Sequence, residues 1–294
     1  MNKRCFNSIR PAAFSILMIA AAAVRSYGDE PSVVGVLGAL DEEVALIERS
    51  MDDPRIEFVG GIRFVSGNVG ARRVVLARTG AGKVNTAMAA TLLIERFQPG
   101  KVICLGVAGA INPELRPGDI VIAEKAAQHD LGTLTAEGFE RSGARSPLDG
   151  VRAPVFIPAD SVLLRLAGES GKRIVFERVR GGVPAGSGTR GEKKGDARGN
   201  APRVIRGTVV TGDMFVASRE KKRELREKLD ADAVDMEGAA VAQVCWMRGI
   251  GCLVIRCVSD SADERAAVDF REFAGVAAAN SARLVLDLLG RMKD

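Results

Sequence analysis

The stretch 232–263, DAVDMEGAAVAQVCWMRGIGCLVIRCVSDSAD, constrains the fold more than any other part of the chain. An Ala- and Val-rich run that begins near Glu237 predicts a buried helix, and the continuous apolar run 252–258 predicts a central strand covered on both faces. That strand ends in Ser259 and Asp260, at the edge where open α/β sheets bind their ligands. Arg256 inside this buried strand and the acids at the end of the strand all need partners, so chemistry is expected at this edge.

The first 28 residues have the pattern of a signal peptide. Lys3 and Arg4 precede an apolar core at 12–24, and small residues follow at the expected cleavage position. The core is too short for a membrane span. The sequence therefore predicts an exported, periplasmic protein with no stable membrane span after cleavage, and a folded domain over 29–294. The alternatives are an uncleaved anchor or a misassigned start codon, and the protein would be cytoplasmic if the start codon is misassigned.

The net charge of +5 does not indicate a nucleic-acid-binding protein. Removal of residues 1–28 leaves 38 basic against 37 acidic residues, and the remaining basic excess is concentrated in a Gly- and Arg-rich insertion at 178–203. That composition predicts a flexible or looped-out surface segment. Nucleic-acid binding needs a basic patch on a structured face and aromatic side chains for stacking, but the chain has one Trp and one Tyr. A nucleic-acid partner is therefore excluded.

Metal and cofactor sites are not indicated either. The four cysteines after residue 28 all lie in apolar runs, as buried small hydrophobic residues do, and His129 is the only histidine available as a ligand. The motif 79–83, TGAGK, lacks the spacing of a P-loop and is predicted to form a tight turn between a strand and a helix. We expect no metal and no cofactor.

Strands and helices alternate along the rest of the chain. Strands are predicted at 32–38, 56–59, 62–69, 73–78, 101–105, 120–123 and 204–210. Helices are predicted after the acids at 41–43 and at 84–97, 159–167, 218–229 and 269–292, whereas 130–158 has the composition of a loop. Since several strands are apolar throughout, the pattern predicts a single three-layer α/β/α domain with a mixed central sheet.

Six motifs occur in an order that resembles a known family. They are VVGVLGALDEEVALI at 33–47, TGAGKVNTAMAATLLIERFQP at 79–99, LGVAGAI at 105–111, TGDMFV at 211–216, VDMEGAAVAQV at 234–244 and IRCVSDSAD at 255–263. Together they resemble the nucleoside phosphorylase/nucleosidase family, and within it the 5′-methylthioadenosine/S-adenosylhomocysteine nucleosidases most closely. The resemblance covers 33–290 apart from the insertion. It implies a nucleoside phosphorylase-like fold and cleavage of the N-glycosidic bond of a purine nucleoside.

The resemblance assigns the catalytic roles to three residues. Asp260 matches the acid that protonates N7 of the leaving purine, and Glu43 matches the base that activates the attacking water. Two carboxylates with separate tasks suit a reaction that passes through an oxocarbenium-like state. Arg256 resembles the strand arginine near the water and the acids. Taken singly, each residue also has a structural explanation, such as helix-dipole compensation for Glu43, but their joint occurrence in family order favours the functional interpretation.

The resemblance also implies a substrate-binding set. Glu237 would accept the ribose 2′- and 3′-hydroxyls, Phe215 would stack on the base, and the backbone of Val216 would bind the edge of the base. The other implied positions are Leu40, Val107, Ala108, Gly109, Met236, Phe270 and Phe273. Leu40 and the two phenylalanines match apolar positions near the 5′ substituent.

Water is predicted to be the nucleophile. Phosphorylases of the family hold phosphate with arginines in the first Gly loop and just before the G-x-x-G motif, where this chain has the acidic segment 39–43 and Cys104. Two departures from the nucleosidases are Val107, where Ser is common, and Asp235, where Glu is usual. Two alternatives stay open at this point: a phosphorolytic purine nucleoside phosphorylase, and a non-catalytic nucleoside-binding or sensor protein on the same fold.

The family resemblance further implies a homodimer in which a loop of the neighbouring subunit completes the 5′ pocket. Residues 130–142 are the candidate loop. The resemblance implies an adenine nucleoside as the substrate, with 5′-methylthioadenosine and S-adenosylhomocysteine as the first candidates and adenine as the released base.

Overall fold

The computed structural model describes residues 33–179 and 201–292. The predicted signal peptide and most of the insertion at 178–203 lie outside these ranges, so both stay predictions. The strands in chain order are β1 Val34–Gly38, β2 Asp52–Val59, β3 Ile62–Val69, β4 Arg72–Arg78, β5 Lys101–Ala110, β6 Ile120–Gln128, β7 Gly132–Thr135, β8 Gly138–Arg141, β9 Ile157–Pro158, β10 Val204–Thr211, β11 Ala233–Asp235 and β12 Gly251–Asp260. The helices are α1 Asp41–Arg49, α2 Lys83–Phe97, α3 Ser161–Gly171, α4 Arg219–Leu229, α5 Gly238–Met247 and α6 Ala266–Arg291.

The central sheet is mixed, as predicted. Its strand order is β11-β10-β6-β12-β5-β1-β4-β3-β2, with β9 paired to β6. The pairs β1–β4, β1–β5 and β5–β12 are parallel, whereas β2–β3, β3–β4 and β6–β12 are antiparallel. Because β11 pairs with both β10 and β5, the strands β11, β10, β6, β12 and β5 close into a ring, and the others extend from it as an open sheet. The ring closure was not predicted.

Strand β12 shows why the sheet is covered on both faces. Its side chains alternate between two apolar clusters: Leu253 and Ile255 pack with α6 residues, while Cys252 and Val254 pack with α5 residues. A strand buried on both faces has no polar side, which explains its continuous apolar sequence. Helices α1, α3 and α6 cover one face and α2 and α5 the other, so the predicted three-layer architecture is confirmed.

Within the described ranges, α6 is the one helix long and apolar enough to cross a membrane by length and composition. It packs against β12, β5, α1 and α3. Leu284, Val285 and Leu288 on this helix are fully buried. Its apolar composition is therefore explained by its place in the protein core.

The segment predicted to be a loop, 130–158, contains elements that the sequence pattern missed. Strands β7 and β8 form an antiparallel hairpin, and β9 adds two residues to the edge of β6. The hairpin strands have four residues each, and Leu134 is 79% exposed, so no apolar periodicity marks them. Strand β5 also continues past Leu105 to Ala110, because its Gly- and Ala-rich end pairs with β12 and β11 through the backbone.

Candidate active site

A cavity of about 230 Å³ lies at the carboxyl ends of β1, β5 and β12. Eleven of the predicted site residues line it: Leu40, Glu43, Val107, Ala108, Gly109, Phe215, Val216, Met236, Glu237, Asp260 and Phe270. Parallel strands bring their carboxyl ends to one edge, which is why residues far apart in the sequence meet here. Phe273, also expected near the 5′ substituent, is buried and does not line the cavity.

Six lining residues were not in the predicted site set: Ala39, Ala81, Met214, Val234, Asp235 and Ser259. Five of them lie within two positions of a predicted site residue, so the motifs that carry the family resemblance already contained this signal. Ala81 belongs to the turn between β4 and α2, which lies in the family motif at 79–99 but was predicted only as a tight turn between a strand and a helix.

Glu43 lies in the first turn of α1 and is almost fully buried. Its Oε2 accepts hydrogen bonds from the amides of Ala39 at 2.6 Å and Leu40 at 3.0 Å, and its Oε1 accepts one from the amide of Val107 at 2.9 Å. A Cβ on Gly106 would lie 2.6 Å from Glu43 Oε1, so this position needs glycine. The backbones of the β1–α1 loop and of β5 thus fix the carboxylate at the base of the cavity.

Burial raises the pKa of Glu43 above its ordinary value. The charge of Arg256 and the amides of Leu40, Val107 and Ala39 act in the opposite direction. A carboxylate with a raised pKa is a stronger base than one in water, and it is held ready to accept a proton inside the cavity.

Asp260 ends β12 and faces the cavity with 2% exposure. Its Oδ2 accepts a hydrogen bond from the hydroxyl of Ser259 at 2.8 Å, and its Oδ1 accepts one from the amide of Ala262 at 2.9 Å. Burial raises the pKa of Asp260, and the nearby charges of Asp269 and Asp263 add to the effect, against the two hydrogen bonds. The environment therefore shifts Asp260 towards the protonated form, which is the form that a general acid requires.

Glu237 caps the start of α5 at the cavity wall. Its Oε1 accepts a hydrogen bond from the amide of Gly82 at 2.9 Å, and its Oε2 lies 3.9 Å from Arg256 Nη2. Burial and the charge of Asp235 raise the pKa of Glu237 to about 7, although Arg256 opposes the shift. The carboxylate therefore faces the cavity with its hydrogen-bonding capacity only partly used.

Arg256, the twelfth predicted site residue, does not line the cavity but lies behind it. Its Nε donates to Asp235 Oδ2 at 2.7 Å, and the two side chains are each 1% exposed. Its Nη1 donates to the carbonyls of Cys104 and Ile255. The guanidinium thus reaches the cavity only through the carboxylates around it, and its predicted catalytic role stays a prediction.

Asp235, one of the two departures from the family pattern, has a structural function in this arrangement. It accepts a hydrogen bond from the amide of Gly238 at 3.0 Å, at the start of α5, and one from the hydroxyl of Thr211. Together with the bond from Arg256, these contacts join β12, β10 and α5 beneath the cavity. Asp235 also lines the cavity, so its side chain links the cavity wall to the core behind it.

Phe215 and Phe270 form the aromatic part of the cavity wall. Their rings meet edge to face, with centroids 5.9 Å apart and an interplanar angle of 86°. Phe215 lines the cavity and is 47% exposed, so its ring is accessible to a planar ligand. Within the described ranges no group of three or more His, Cys, Asp or Glu side chains is arranged to hold a metal ion.

The profile of the phosphorylase superfamily matches residues 33–290. The chain belongs to this superfamily. Over 256 residues it is 38% identical to the 5′-methylthioadenosine/S-adenosylhomocysteine nucleosidase of Mycobacterium tuberculosis. The matched region covers 87% of this chain and 96% of the relative. The family resemblance inferred from the motifs is therefore confirmed.

Two solved structures extend the comparison. The nucleosidase of Neisseria meningitidis, in complex with methylthio-immucillin-A, superposes with a TM-score of 0.74 at 32% identity and covers 89% of this chain and 100% of its own. The futalosine hydrolase of Helicobacter pylori superposes with a TM-score of 0.71 at 29% identity, covering 89% of this chain and 98% of its own. This chain thus shares its fold with a 5′-methylthioadenosine/S-adenosylhomocysteine nucleosidase and with a futalosine hydrolase.

Replacement of Arg256 by Met should destabilise this superfamily member strongly. Loss of the cation leaves the buried Asp235 carboxylate without its charged partner, and such losses cost about 3–5 kcal/mol. Urea unfolding of Arg256→Met measures the change in the free energy of unfolding. The matched control is Arg165→Met, which removes an exposed ion pair with Glu169 and should cost at most about 1 kcal/mol. Equal stability of both variants would contradict the structural importance of Arg256.

Proposed function

We propose that this protein hydrolyses the N-glycosidic bond of a purine nucleoside, with 5′-methylthioadenosine and S-adenosylhomocysteine as the first candidates. The observation that carries the proposal is the pair of buried carboxylates, Glu43 in the first turn of α1 and Asp260 at the end of β12, which face one cavity. The names of the relatives support it, since several are nucleosidases for these two substrates. Adenine would be the released base.

The two carboxylates divide the chemistry of the reaction. Asp260, protonated, donates its proton to N7 of the purine, and the electron pair of the breaking C–N bond leaves with the base. Positive charge then develops on the sugar in an oxocarbenium-like state. Glu43, ionised, accepts a proton from a water molecule as its oxygen bonds to the anomeric carbon. The products are the free purine and the ribose with its 5′ substituent.

The hydrogen bonds of Glu43 favour water over phosphate as the nucleophile. Backbone amides near the start of a helix, such as those of Ala39 and Leu40, are the groups that bind anions in many proteins. Here the carboxylate of Glu43 already occupies them, together with the amide of Val107. A phosphate dianion at this position would meet a carboxylate instead of a set of donors. The phosphorolytic alternative is therefore disfavoured.

Adenine release from 5′-methylthioadenosine, S-adenosylhomocysteine and adenosine, measured with and without phosphate, tests the proposal directly. We expect release that is independent of phosphate, because no donor set for phosphate is free beside Glu43. The same assay ranks the three 5′ groups. Release only in the presence of phosphate would show a phosphorylase, and binding without release would indicate a sensor protein.

Conservative replacement of either carboxylate should remove activity while the protein stays folded. In Asp260→Asn the amide has no acidic proton to give to the purine, and in Glu43→Gln no base accepts the proton of water. General acid–base catalysis contributes about 10²–10⁴-fold, so kcat should fall by at least that range. Circular dichroism and adenine binding confirm the fold of each variant. Near-normal turnover by one variant would refute the role of that residue.

Other residues that line the same cavity also support the binding of a nucleoside. The exposed ring of Phe215 suits stacking on a purine. The carboxylate of Glu237 accepts one amide hydrogen bond and can accept further ones from the ribose hydroxyls. Leu40 and Phe270 give an apolar wall suited to a thioether at the 5′ position. Arg256 acts in this proposal through the carboxylates that it contacts.

We propose in addition that the protein is a homodimer. Val84 and Met88, one turn apart on α2, are 79% and 49% exposed, and Leu134 on the β7–β8 hairpin is 79% exposed. The ion pair between Lys83 and Asp130 brings the start of α2 next to the base of the hairpin. Exposed apolar side chains gathered on one side of a molecule are typical of an interface between protein chains. The hairpin lies within the segment predicted to reach the neighbouring subunit.

The double variant Val84→Glu/Met88→Glu should convert the dimer into a monomer, because charged groups buried in an apolar interface lack partners. Sedimentation velocity gives the mass of each species. Val175→Glu is the matched control, since Val175 is 91% exposed and follows α3, on the other face of the sheet. A wild-type monomer, or a double variant that stays dimeric, would refute this interface.

A further inference from the structure

The turn that resembles a P-loop in composition carries a lysine whose side chain is engaged within the protein. Lys83 Nζ donates to Asp130 Oδ1 at 2.6 Å and to Gln128 Oε1 at 3.0 Å. The side chains of Lys83 and Asp130 are only 18% and 22% exposed. This ammonium is therefore not available to a phosphate, and it connects the start of α2 with the end of β6.

Asp130 extends the connection to a third segment. Its Oδ2 accepts a hydrogen bond from the amide of Asp213 at 3.0 Å, and Asp213 Oδ1 accepts one from the amide of Lys83 at 2.8 Å. Lys83, Asp130 and Asp213 thus form a closed ring of hydrogen bonds, which we call the three-residue ring. It joins the start of α2, the segment after β6 and the loop after β10.

The three-residue ring lies directly outside the cavity wall. Met214, Phe215 and Val216 follow Asp213 in the chain and line the cavity. On the other side of the ring, the amide of Gly82, next to Lys83, donates to Glu237 Oε1. None of the three ring residues lines the cavity itself. The ring contacts the parts of the wall that would hold base and sugar, and it does not contact Asp260 or Glu43.

We propose that Lys83 and Asp130 are positioning residues that set the affinity for the nucleoside, by holding the loop with Phe215 and the amide that orients Glu237. The nucleoside as ligand rests on the proposed function. Although burial opposes ionisation, Lys83 and the amide of Asp213 hold the pKa of Asp130 below its usual value, which favours the ionised carboxylate. Loss of either charge leaves the other partly buried and frees the loop to move.

The effect should fall on binding rather than on the chemical step. Lys83→Met should raise KM for 5′-methylthioadenosine, and the Kd for adenine measured by calorimetry, by about tenfold, with kcat changed by less than about threefold. A residue that acted on the proton transfers would lower kcat. A residue with a purely structural role would lower thermal stability without this separation of KM from kcat.

A double-mutant cycle tests whether the two residues act as one unit. If the ion pair transmits the effect, Asp130→Asn should raise KM about as much as Lys83→Met, and the double variant should show little further change. Lys83→Arg, which keeps the charge, should restore most of the affinity. Additive effects of the two replacements would overturn the proposal. If Lys83→Met does not fold, Asp130→Asn, which keeps the shape of the side chain, decides by the same two measurements.

Lys101→Met is the matched control. Lys101 forms a partly buried ion pair with Asp160 at the amino end of β5, opposite the end that carries Val107. Its loss should lower stability but leave KM and adenine affinity unchanged. An equal rise of KM in Lys101→Met and Lys83→Met would overturn the proposal, as would unchanged KM and Kd in Lys83→Met and Asp130→Asn. If the wild-type protein binds adenine but cleaves no nucleoside, the proposed function fails alone, and the Kd values still decide the inference.

Discussion

The buried ion pair between Arg256 and Asp235 is the interaction on which the site depends. A guanidinium in the middle of a strand covered on both faces is tolerated only with a charged partner and further acceptors, and Asp235 and two carbonyls provide them. The same pair fixes the start of α5, where Glu237 lies, to strand β12, which ends in Asp260. Its positive charge also opposes the rise in the pKa values of Glu43 and Glu237. The guanidinium of Arg256 therefore both holds the elements around the cavity together and limits the rise in the pKa values of the carboxylates that face it.

The three carboxylates that face the cavity are chemically similar, but each has a different set of neighbouring donors and charges. Glu43 has three amide donors and the influence of Arg256, whereas Asp260 has one hydroxyl, one amide and two neighbouring acids. Glu237 has a single amide and a distant guanidinium. The number of donors around each group parallels the task proposed for it: base, acid and acceptor for the sugar. The three carboxylates thus have different proposed roles because the fold places different numbers of hydrogen-bond donors around them.

Much of the fold and of the cavity was predictable because the informative residues lie in short motifs next to strand ends. The apolar run around Arg256 and the acid at its end identified β12 and the site together. Contacts across the chain were not predictable. The position of Arg256 behind the cavity depends on Asp235, and the role of Lys83 depends on Asp130, a partner 47 positions away. The hairpin that carries Leu134 gave no signal, since its strands are short and exposed. A sequence pattern indicates which face of an element is buried and where a strand ends, but it does not indicate which distant residues meet in the fold.

Closure of the five-stranded ring has a consequence for how the protein acquires activity. The ring joins β5 to β11, and Ala110 pairs with Ala233 across more than a hundred intervening positions. Contacts of such long range form late and slow the folding of a chain. The cavity also needs Phe270 from the last helix, whose remaining length fills the core. Catalytic competence should therefore appear in a single step near the end of folding, and partly folded intermediates should be inactive rather than partially active.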